Sequence, residues 1–402
     1  MRILLVAPNA SYRITPFMRA AEALGAQTVL LAGSSAAQLP SVKAGIVYDP
    51  NNPNEAIERV AGLEFDAVCA TDDSTTVLAA QIARERGLVG NSVESIEIAR
   101  DKFQGRQQLA QSELNCPGFR LVHGHEELLN EQVPQHYPVV LKPTTLSASR
   151  GVIRVDDSAQ YRAALRRIIR LLDEEFRQPD YQVLVEDYIP GREVAVEGLL
   201  FNGRLELLAI FDKPDPLEGP FFEETYYITP SRLKKGEQDS LVELTEKVCA
   251  VYGLRQGPVH AEFRLNEKGA WLLELAARTI GGYCGNMIGF VTGCSLEQLV
   301  IMHALGERPK RLDTQNAAGV LMVPVPATGV VRRVEGIGEA RKVPGIVSVE
   351  IYLNSGQKIR AWPEGGSYPG FIFARAPTAA QAEAALRTAH GKIRIVLAPL
   401  IA

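Results

Sequence analysis

Short apolar runs and amphipathic segments alternate through the first hundred residues of the chain. The apolar runs are 2–7, 27–32 and 65–70. Between the first two, apolar residues recur at helical spacing over residues 16–24. Because strands that alternate with helices build parallel sheets, we predict an α/β domain over residues 1–100. The residues at its strand ends, where such sheets bind ligands, are Tyr12, Arg13, Asp72 and Asp73.

Strand-like runs dominate from residue 137 onward, and they surround one helical stretch at 161–176. The runs are 137–142, 151–155, 181–189, 193–201, 205–211, 260–265 and 270–275. This pattern predicts a mostly antiparallel α+β domain over 101–309. Past Pro309 come further strand-like runs and a helix at 379–389. We predict a separate small α+β module over 310–402.

Composition excludes several classes of function. The formal net charge is -4, so no basic field attracts a phosphate backbone, and nucleic acid is not an expected partner. No apolar run approaches the length of a membrane span, and the first is too short for a signal peptide, so we expect a cytoplasmic protein with no membrane partner. The 5 cysteines are scattered and never spaced Cys-x-x-Cys, which argues against disulfides and zinc.

The strongest local signal is a hairpin centred on the polar turn 266–269. If its loop covers residues 266–270, Glu262 and Glu274 lie directly opposite each other, with Cβ atoms ~5 Å apart. Like charges this close destabilise a sheet unless a cation lies between them, and carboxylate oxygens are ligands that Mg²⁺ prefers. The alternative is a register slip of one residue, which leaves the carboxylates facing solvent or paired with Arg264.

Three weaker signals accompany the hairpin. Arg278 precedes a glycine turn, where its guanidinium could grip phosphate or form an ordinary ion pair. Lys142 ends a strand and leads into the small-residue loop 144–151, which is either a phosphate-binding loop or a plain hairpin. The segment 186–193 crosses between two strands and could read an adenine edge and ribose hydroxyls, or be an ordinary hairpin.

In chain order, Lys102, Lys142, the small-residue loop, EDYIPGRE and a final E-x11-E-x3-R resemble the ATP-grasp superfamily. The resemblance covers roughly residues 1–400. It is closest to the carboxylate–amine ligase branch, which includes bacterial L-amino-acid ligases, and more distant to biotin carboxylase. Phrases such as ELAARTIGG and PGFIFARAPT look like that branch. The fold this implies is an α/β N-terminal domain, an α+β ATP-grasp domain with a lid subdomain at about 118–186, and a small C-terminal α+β module.

The resemblance also implies an ATP site. Lys102 and Lys142 match two lysines that contact nucleotide phosphates, and the loop 147–151 matches the flexible lid over those phosphates. In that loop the residues expected to bind ATP are Ser147, Ser149 and Gly151. The matches to the adenine hinge are Glu186, Tyr188 and Ile189, and the match to the ribose carboxylate is Glu193.

Metal and substrate residues follow from the same resemblance. Glu262 and Glu274 match the metal-bridging pair, so ATP is expected with two Mg²⁺ ions, or with Mn²⁺ as an alternative. Arg278 matches the catalytic arginine that steadies an acyl phosphate. The expected substrate-binding residues are Glu223, His260, Gly281 and Gly282. We expect Gly282 to leave room for a bulky group. The groups considered for deprotonating the amine are His260, Glu223 and Glu224, and the alternative for His260 is a structural hydrogen-bonding histidine.

Two positions depart from the superfamily pattern. Many members have Asn two residues after the second metal carboxylate, where this chain has Ala276. The amino-acid ligase branch also shows Ala-Ala-Arg here, so the departure indicates the branch and leaves coordination of the second metal open. The lid loop is also poor in glycine, which leaves its nucleotide contacts open.

The predicted function is an acid–amino-acid ligase. It would activate a carboxylate of an amino acid as an acyl phosphate and couple it to an amine, releasing ADP and phosphate. The expected partners are these small-molecule substrates, and a homodimer is also considered. The alternatives are biotin-carboxylase-like carboxylation and a non-catalytic nucleotide-binding module. Retention of Lys102, Lys142, Glu262, Glu274 and Arg278 argues against the last.

Overall fold

The computed structural model describes residues 1–33, 37, 42, 44–50, 52–130, 132–144, 146–177, 180–308 and 316–399. The predicted boundary between residues 309 and 310 lies outside this part of the chain, as does Thr145 of the small-residue loop. Among the described residues, no single helix has both the length and the hydropathy to cross a membrane. Helices Asn286–Thr292 and Leu296–Ala304 pass that test only as a pair, bent by 91° at the break between them.

The N-terminal sheet is entirely parallel, as the alternation of strands and helices predicts. Its strands are β1 (Arg2–Ala7), β2 (Gln27–Ala32), β3 (Gly45–Val47) and β4 (Ala67–Ala70), in the order β3-β2-β1-β4. The helices are α1 (Ile14–Ala23), α2 (Pro53–Val60), α3 (Thr76–Glu85) and α4 (Val93–Arg100). Residues of β1 from Ile3 onward are fully buried, so both faces of the sheet are covered. The loops after β1 and β4 therefore open at one edge of the sheet.

A second sheet is antiparallel and carries its own core. It follows α5 (Lys102–Ala110) and combines β5 (Phe119–His123), α6 (Gly124–Leu129), β6 (Val139–Pro143), β7 (Ile153–Val155), α7 (Ser158–Phe176) and β8 (Gln182–Asp187). The strand order is β5-β8-β6-β7. Helix α7 begins at the Asp157 cap, whose side chain accepts from two backbone N–H groups, and it buries Tyr161, Leu165 and Ile168. We call this unit the lid sheet.

Further strands and helices follow in the described part of the chain. They are β9 (Arg192–Phe201), β10 (Arg204–Lys213), β11 (Tyr226–Thr229), α8 (Lys235–Tyr252), β12 (Gln256–Asn266), β13 (Gly269–Ala276), α9 (Asn286–Thr292), α10 (Leu296–Ala304), β14 (Ala317–Met322), β15 (Gly329–Glu335), α11 (Ile337–Arg341), β16 (Ile346–Ile351), β17 (Lys358–Ile359), β18 (Gly370–Ala376), α12 (Ala379–His390) and β19 (Arg394–Ala398). An eight-stranded sheet has the order β13-β12-β9-β10-β11-β14-β18-β16, and a small sheet has the order β17-β15-β19.

The segment predicted as a small α+β module over 310–402 shares a sheet with the preceding domain. Strand β14 pairs with β11, with Tyr226 opposite Leu321, and β18 and β16 extend the same sheet. Tyr226 and Ile228 of β11 also share a core with Leu386 of α12. The physical reason is that β11 has a free edge which β14 completes. Alternation identifies a strand and one buried face, but it does not say which edge that strand will pair with.

Candidate active site

The hairpin of β12 and β13 brings Glu262 and Glu274 directly opposite each other, as predicted. The predicted loop 266–270 is wrong, because the turn is tighter and pairs Asn266 with Gly269. With that turn alone, Glu262 would lie opposite the residue before Glu274 and not opposite Glu274 itself. A bulge restores the pairing: Glu262 faces Glu274, the next pair is Phe263 with Leu272, and the intervening residue of β13 is left over.

Lys102 supplies positive charge to this pair. Its Nζ lies 3.3 Å from Oε1 of Glu274 and donates to the carbonyl of Leu146 at 3.1 Å. Partial burial alone would raise the pKa of Glu274, but the attraction of Lys102, together with weaker attraction from Arg278 and Lys142, holds it below its ordinary value. Glu274 is therefore ionised at neutral pH, as a metal ligand must be.

Glu262 is ionised for a related reason. Burial opposes its charge, but the ammonium of Lys213 lies 3.1 Å away and His260 lies 3.1 Å away, and together they hold the pKa of Glu262 well below its ordinary value. Two ionised carboxylates facing each other fit Mg²⁺, which takes one or two protein carboxylates and fills its remaining positions with phosphate oxygens and water. Glu262 and Glu274 thus fit a divalent ion that arrives with a phosphorylated ligand.

Lys213 is the residue that sequence reasoning missed. Its side chain is 2% exposed, and its Nζ lies 2.7 Å from Glu193, 2.5 Å from Glu224 and 3.1 Å from Glu262. Those three carboxylates lie within 4.8 Å of one another, a spacing that suits a metal ion, but the ammonium already supplies the cation there. A signal was available, because Lys213 and Lys142 each lie within the last two residues of a strand and directly precede a proline.

The side chain of Glu186, a residue predicted for the adenine hinge, forms ion pairs with two cations. It lies buried between Nε of Arg106 at 2.6 Å and Nζ of Lys142 at 2.5 Å. Burial would raise its pKa, but attraction by Arg106 and Lys142 lowers it to about 2. Glu186 therefore fixes the position of Lys142. Both oxygens of Glu193 are likewise engaged, by Lys213 at 2.7 Å and by Arg264 at 3.1 Å.

Replacing Glu186 with glutamine is expected to lower the free energy of unfolding by about 3 kcal/mol at pH 7, measured by urea denaturation. The folded pKa lies below the ordinary value of 4.5, so this stabilisation is present above pH 4.5 and is lost as the pH falls through about 2. The difference in free energy of unfolding between Glu186→Gln and the wild type should therefore narrow as the pH falls from 4.5 to about 2. Glu58→Gln, at an exposed position of α2, is the control, and an equal effect there would contradict the account.

Most of the residues predicted to bind ATP line one cavity between the lid sheet and the eight-stranded sheet. They are Lys102, Lys142, Ser149, Glu186, Tyr188, Ile189 and Glu193. Apolar side chains of Val140, Phe222 and Leu273 complete its walls, as suits a flat heteroaromatic ring. Gly151 is not among the lining residues, because its N–H donates to the carbonyl of Pro363 at 3.0 Å. Ser147 lines the neighbouring cavity instead.

A second cavity of about 540 Å³ adjoins the first, and Ser149, Glu262 and Glu274 line both. It brings together residues from distant parts of the chain: Tyr12, Arg13, Asp72, Asp73, Glu224, His260, Arg278, Gly281, Gly282, Tyr352 and Tyr368. The predicted strand-end residues of the N-terminal sheet are all present. The paired carboxylates therefore stand at the junction of two cavities.

Two of the predicted substrate residues, Glu223 and Gly282, differ in their position relative to the cavities. Glu223 does not line either cavity; its Oε1 accepts from the N–H of Val325 at 2.9 Å, and burial raises its pKa to about 6. Its neighbour Glu224 faces the second cavity instead. Gly282 lines the second cavity beside Met322, and a Cβ there would lie 2.6 Å from Sδ of Met322.

His260 is held as a hydrogen-bond donor. Its Nδ1 lies 3.0 Å from Glu197 and its Nε2 lies 3.1 Å from Glu262. Burial lowers its pKa, but hydrogen bonds to Glu197 and Glu262 outweigh burial and raise it to about 8. The raised pKa favours the charged ring at neutral pH, and both ring nitrogens face carboxylates, which supports a structural hydrogen-bonding role for His260.

Arg278 extends into the second cavity from the loop after β13. Its Nη1 donates to the carbonyl of Thr279 at 2.9 Å, and its Nε lies 3.9 Å from Asp73. The turn that carries it is fixed by Arg13, which is buried and donates to Oγ1 of Thr279 at 2.6 Å. A guanidinium with one weak ion pair keeps donors for an anionic ligand.

Comparisons with known proteins bear on both halves of this site. Residues 135–287 match the family described as ATP-grasp domain, and residues 321–398 match L-amino acid ligase C-terminal domain 2. The structure is similar to the crystal structure of an L-amino acid ligase from Bacillus licheniformis, with a TM-score of 0.85, 26% identity and 99% of each chain covered.

Two further proteins are similar over less of their sequence. Alanine–anticapsin ligase from Bacillus subtilis is 28% identical over 265 residues, which is 61% of this chain and 56% of that protein. The biotin carboxylase domain of the Hydrogenobacter thermophilus 2-oxoglutarate carboxylase, solved with MgADP and bicarbonate, has a TM-score of 0.67 at 18% identity, over 98% of this chain and 90% of that one. At that identity, the similarity concerns the fold alone.

Proposed function

Because the chain belongs to the ATP-grasp ligases and carries the C-terminal domain of L-amino acid ligases, we propose that it joins the carboxylate of an amino acid to an amine through an acyl phosphate. The comparisons confirm the fold and the enzyme class that the sequence predicts. The observation that carries the proposal is the position of Glu262 and Glu274 in the wall between two cavities. A phosphoryl group can pass there from a nucleotide on one side to a carboxylate on the other.

The first cavity supports nucleotide binding. Lys102 and Lys142 would neutralise phosphate charge, and the segment at Tyr188 and Ile189 would hold the adenine. Glu262 and Glu274 would hold Mg²⁺, as two ions, or Mn²⁺ in its place. Bound there, the metal supplies a positive charge that stabilises the transferring phosphoryl group. The protein's own contribution is to keep both carboxylates ionised through Lys102 and Lys213.

The second cavity supports the two substrates. A carboxylate oxygen of the first amino acid attacks the γ-phosphorus and ADP leaves. The neutral amine of the second substrate then attacks the acyl carbon, and phosphate leaves with the former carboxylate oxygen. Arg278 would hold the acyl phosphate between these steps. The cavity offers both signs of charge, Arg278 on one hand and Asp72 and Asp73 on the other, as a zwitterionic amino acid requires.

One side of the second cavity is lined by aromatic rings, which we call the aromatic wall: Tyr12, Tyr283, Tyr352, Tyr368 and Phe371. Ring centroids are 4.5 Å apart for Tyr12 and Tyr283, and 5.1 Å apart for Tyr283 and Phe371. Tyr12 is 43% exposed and Tyr352 is 48% exposed, so apolar ring surface is open to the cavity. We propose that this wall accepts the side chain of a large apolar or aromatic amino acid.

The Tyr352→Ala variant tests this substrate class. It is expected to lower kcat/KM about tenfold for phenylalanine or tyrosine and less than twofold for alanine, because a ring contact contributes only to the larger side chain. Initial rates of ADP release over an amino acid series measure the ratio. Phe176→Ala, which removes an exposed ring at the end of α7, is the control. An unchanged preference in Tyr352→Ala would reject the aromatic wall as a specificity surface.

The assay for the proposed function is direct. The protein is incubated with ATP, Mg²⁺ and pools of amino acids, and ADP, phosphate and new amide masses are measured. We expect ADP and phosphate to appear in equal amounts with a dipeptide mass. ADP release that requires bicarbonate would favour the carboxylase alternative, while absence of any substrate-dependent turnover across the pools would favour the non-catalytic one.

A further inference from the structure

The lid loop, residues 147–151, has an unfavourable backbone conformation. Ala148 has φ +57° and Ser149 has φ +55°, so two consecutive residues other than glycine lie in the left-handed region. Such a conformation persists only where surrounding contacts support it. Ser149 also lines both cavities, so the conformation of this loop determines part of the wall on each side of the reaction.

The support comes from a stretch near the C-terminus, residues 360–368, which we call the strap. The indole Nε1 of Trp362 donates to the carbonyl of Ala148 at 3.0 Å, and the carbonyl of Pro363 accepts from the N–H of Gly151 at 3.0 Å. Trp362 is 4% exposed, so this hydrogen bond is shielded from water. The strap therefore contacts the lid loop at two positions, Ala148 and Gly151.

Ion pairs fix the strap to the helix of the lid sheet. Nη2 of Arg167 donates to Glu364 at 2.7 Å, and Nη1 of Arg360 lies 2.6 Å from Glu174. The strap also packs closely against the lid loop, because a Cβ at Gly366 would lie 2.4 Å from Cδ of Arg150. The strap thus contacts both helix α7 of the lid sheet and the lid loop.

The far end of the strap reaches the second cavity. The ring of Trp362 lies 4.9 Å from that of Tyr368, centroid to centroid, and Tyr368 lines the cavity together with Gly366 and Ser367. A ligand that contacts Tyr368 therefore contacts the same rigid group of side chains that holds Ala148. Two sites coupled through one element influence each other reciprocally.

We propose that Trp362 is a positioning residue that holds the lid loop in its closed conformation, so that the C-terminal segment completes the nucleotide site. Occupancy of the second cavity stabilises the strap and thereby the closed lid. The proposal rests on the proposed function only in naming the ligand of the first cavity as a nucleotide. The hydrogen bonds that carry it are properties of the protein alone.

Trypsin cleavage after Arg150 reports the opening of the lid loop without any need for activity. The Trp362→Phe variant keeps a ring against Tyr368 and removes the indole donor, so we expect the initial rate of this cleavage to rise about tenfold, measured by mass spectrometry. The matched control is Trp271→Phe, because Trp271 is the other tryptophan of the chain and its indole donates to Asn266 at the hairpin turn. Equal cleavage rates in both variants, each with a wild-type circular dichroism spectrum, would overturn the proposal.

Kinetics separate positioning from a general structural role. Trp362→Phe is expected to raise KM for ATP about tenfold and to change kcat less than twofold, with Trp271→Phe unchanged in both. In the Trp271→Phe background, Trp362 is the remaining tryptophan, and its emission should shift on addition of a non-hydrolysable ATP analogue with Mg²⁺. An emission shift together with an unchanged KM in Trp362→Phe would reject the positioning role of Trp362 and would still support nucleotide binding. Absence of any shift, with equal cleavage rates, would reject both.

Discussion

Replacing Glu274 with glutamine is expected to lower the rate of ATP turnover about 1,000-fold while leaving the protein folded. An amide neither carries the charge that holds Mg²⁺ nor balances Lys102, which lies 3.3 Å away. The fold should tolerate the change, because Glu274 faces Glu262 and its removal relieves repulsion between like charges. ADP release at saturating ATP measures turnover, and a thermal melt measures the fold.

The same hairpin offers a matched control. Glu267 lies exposed in the turn between β12 and β13, so Glu267→Gln changes the charge by the same amount without touching either cavity. Its turnover should remain within twofold of the wild type. Near-normal activity of Glu274→Gln would reject the metal-binding role assigned to the carboxylate pair.

Replacing Lys213 with methionine is expected to lower the free energy of unfolding by about 3–5 kcal/mol at pH 7. The substitution leaves Glu193, Glu224 and Glu262 clustered without their shared cation. Burial opposes the charge of Lys213, but those carboxylates raise its pKa well above the ordinary value of 10.5. The stabilisation is therefore fully present below pH 10.5 and is lost only as the pH rises through the higher folded value.

Urea denaturation of Lys213→Met and of Lys247→Met separates this effect from loss of an ordinary ion pair. Lys247 pairs with Glu243 at 2.8 Å on an exposed helix surface, so its removal should cost less than about 1 kcal/mol. Partial recovery of Lys213→Met on acidification is also expected, because burial raises the pKa of Glu224 and the carboxylate protonates first. Equal stabilities of the two variants would contradict the role of Lys213 as the shared cation of the three carboxylates.

Local signals in the sequence predict part of this site correctly. The alternation in β12 and β13 fixes which residues share a face, and it places Glu262 opposite Glu274. The agreement depends on two compensating details, a tighter turn and a one-residue bulge. Neither is visible in the pattern of apolar residues, because a bulge is chosen by the packing of neighbouring strands and by contacts such as that of Arg106 with the carbonyl of Leu273.

Contacts between distant parts of the chain limit the rest of the prediction. The ion pairs of Glu186 with Arg106 and Lys142 join residues 80 and 44 positions apart, so the sequence does not predict them. The closeness of Met322 to Gly282 is not predicted either, because Met322 lies on a strand of another segment. The strap was missed because its contacts with the lid loop join residues 214 positions apart. The spacing of residues along the sequence does not indicate any of these contacts.

Transfer of oxygen from the carboxylate to phosphate tests acyl-phosphate ligation most directly. An amino acid substrate labelled with ¹⁸O in its carboxylate is incubated with the protein, ATP, Mg²⁺ and a second amino acid, and the phosphate released is analysed by mass spectrometry. The account predicts one ¹⁸O atom in each phosphate, with ADP and a dipeptide formed in equal amounts. Unlabelled phosphate, or release of AMP and pyrophosphate with the product, would contradict it.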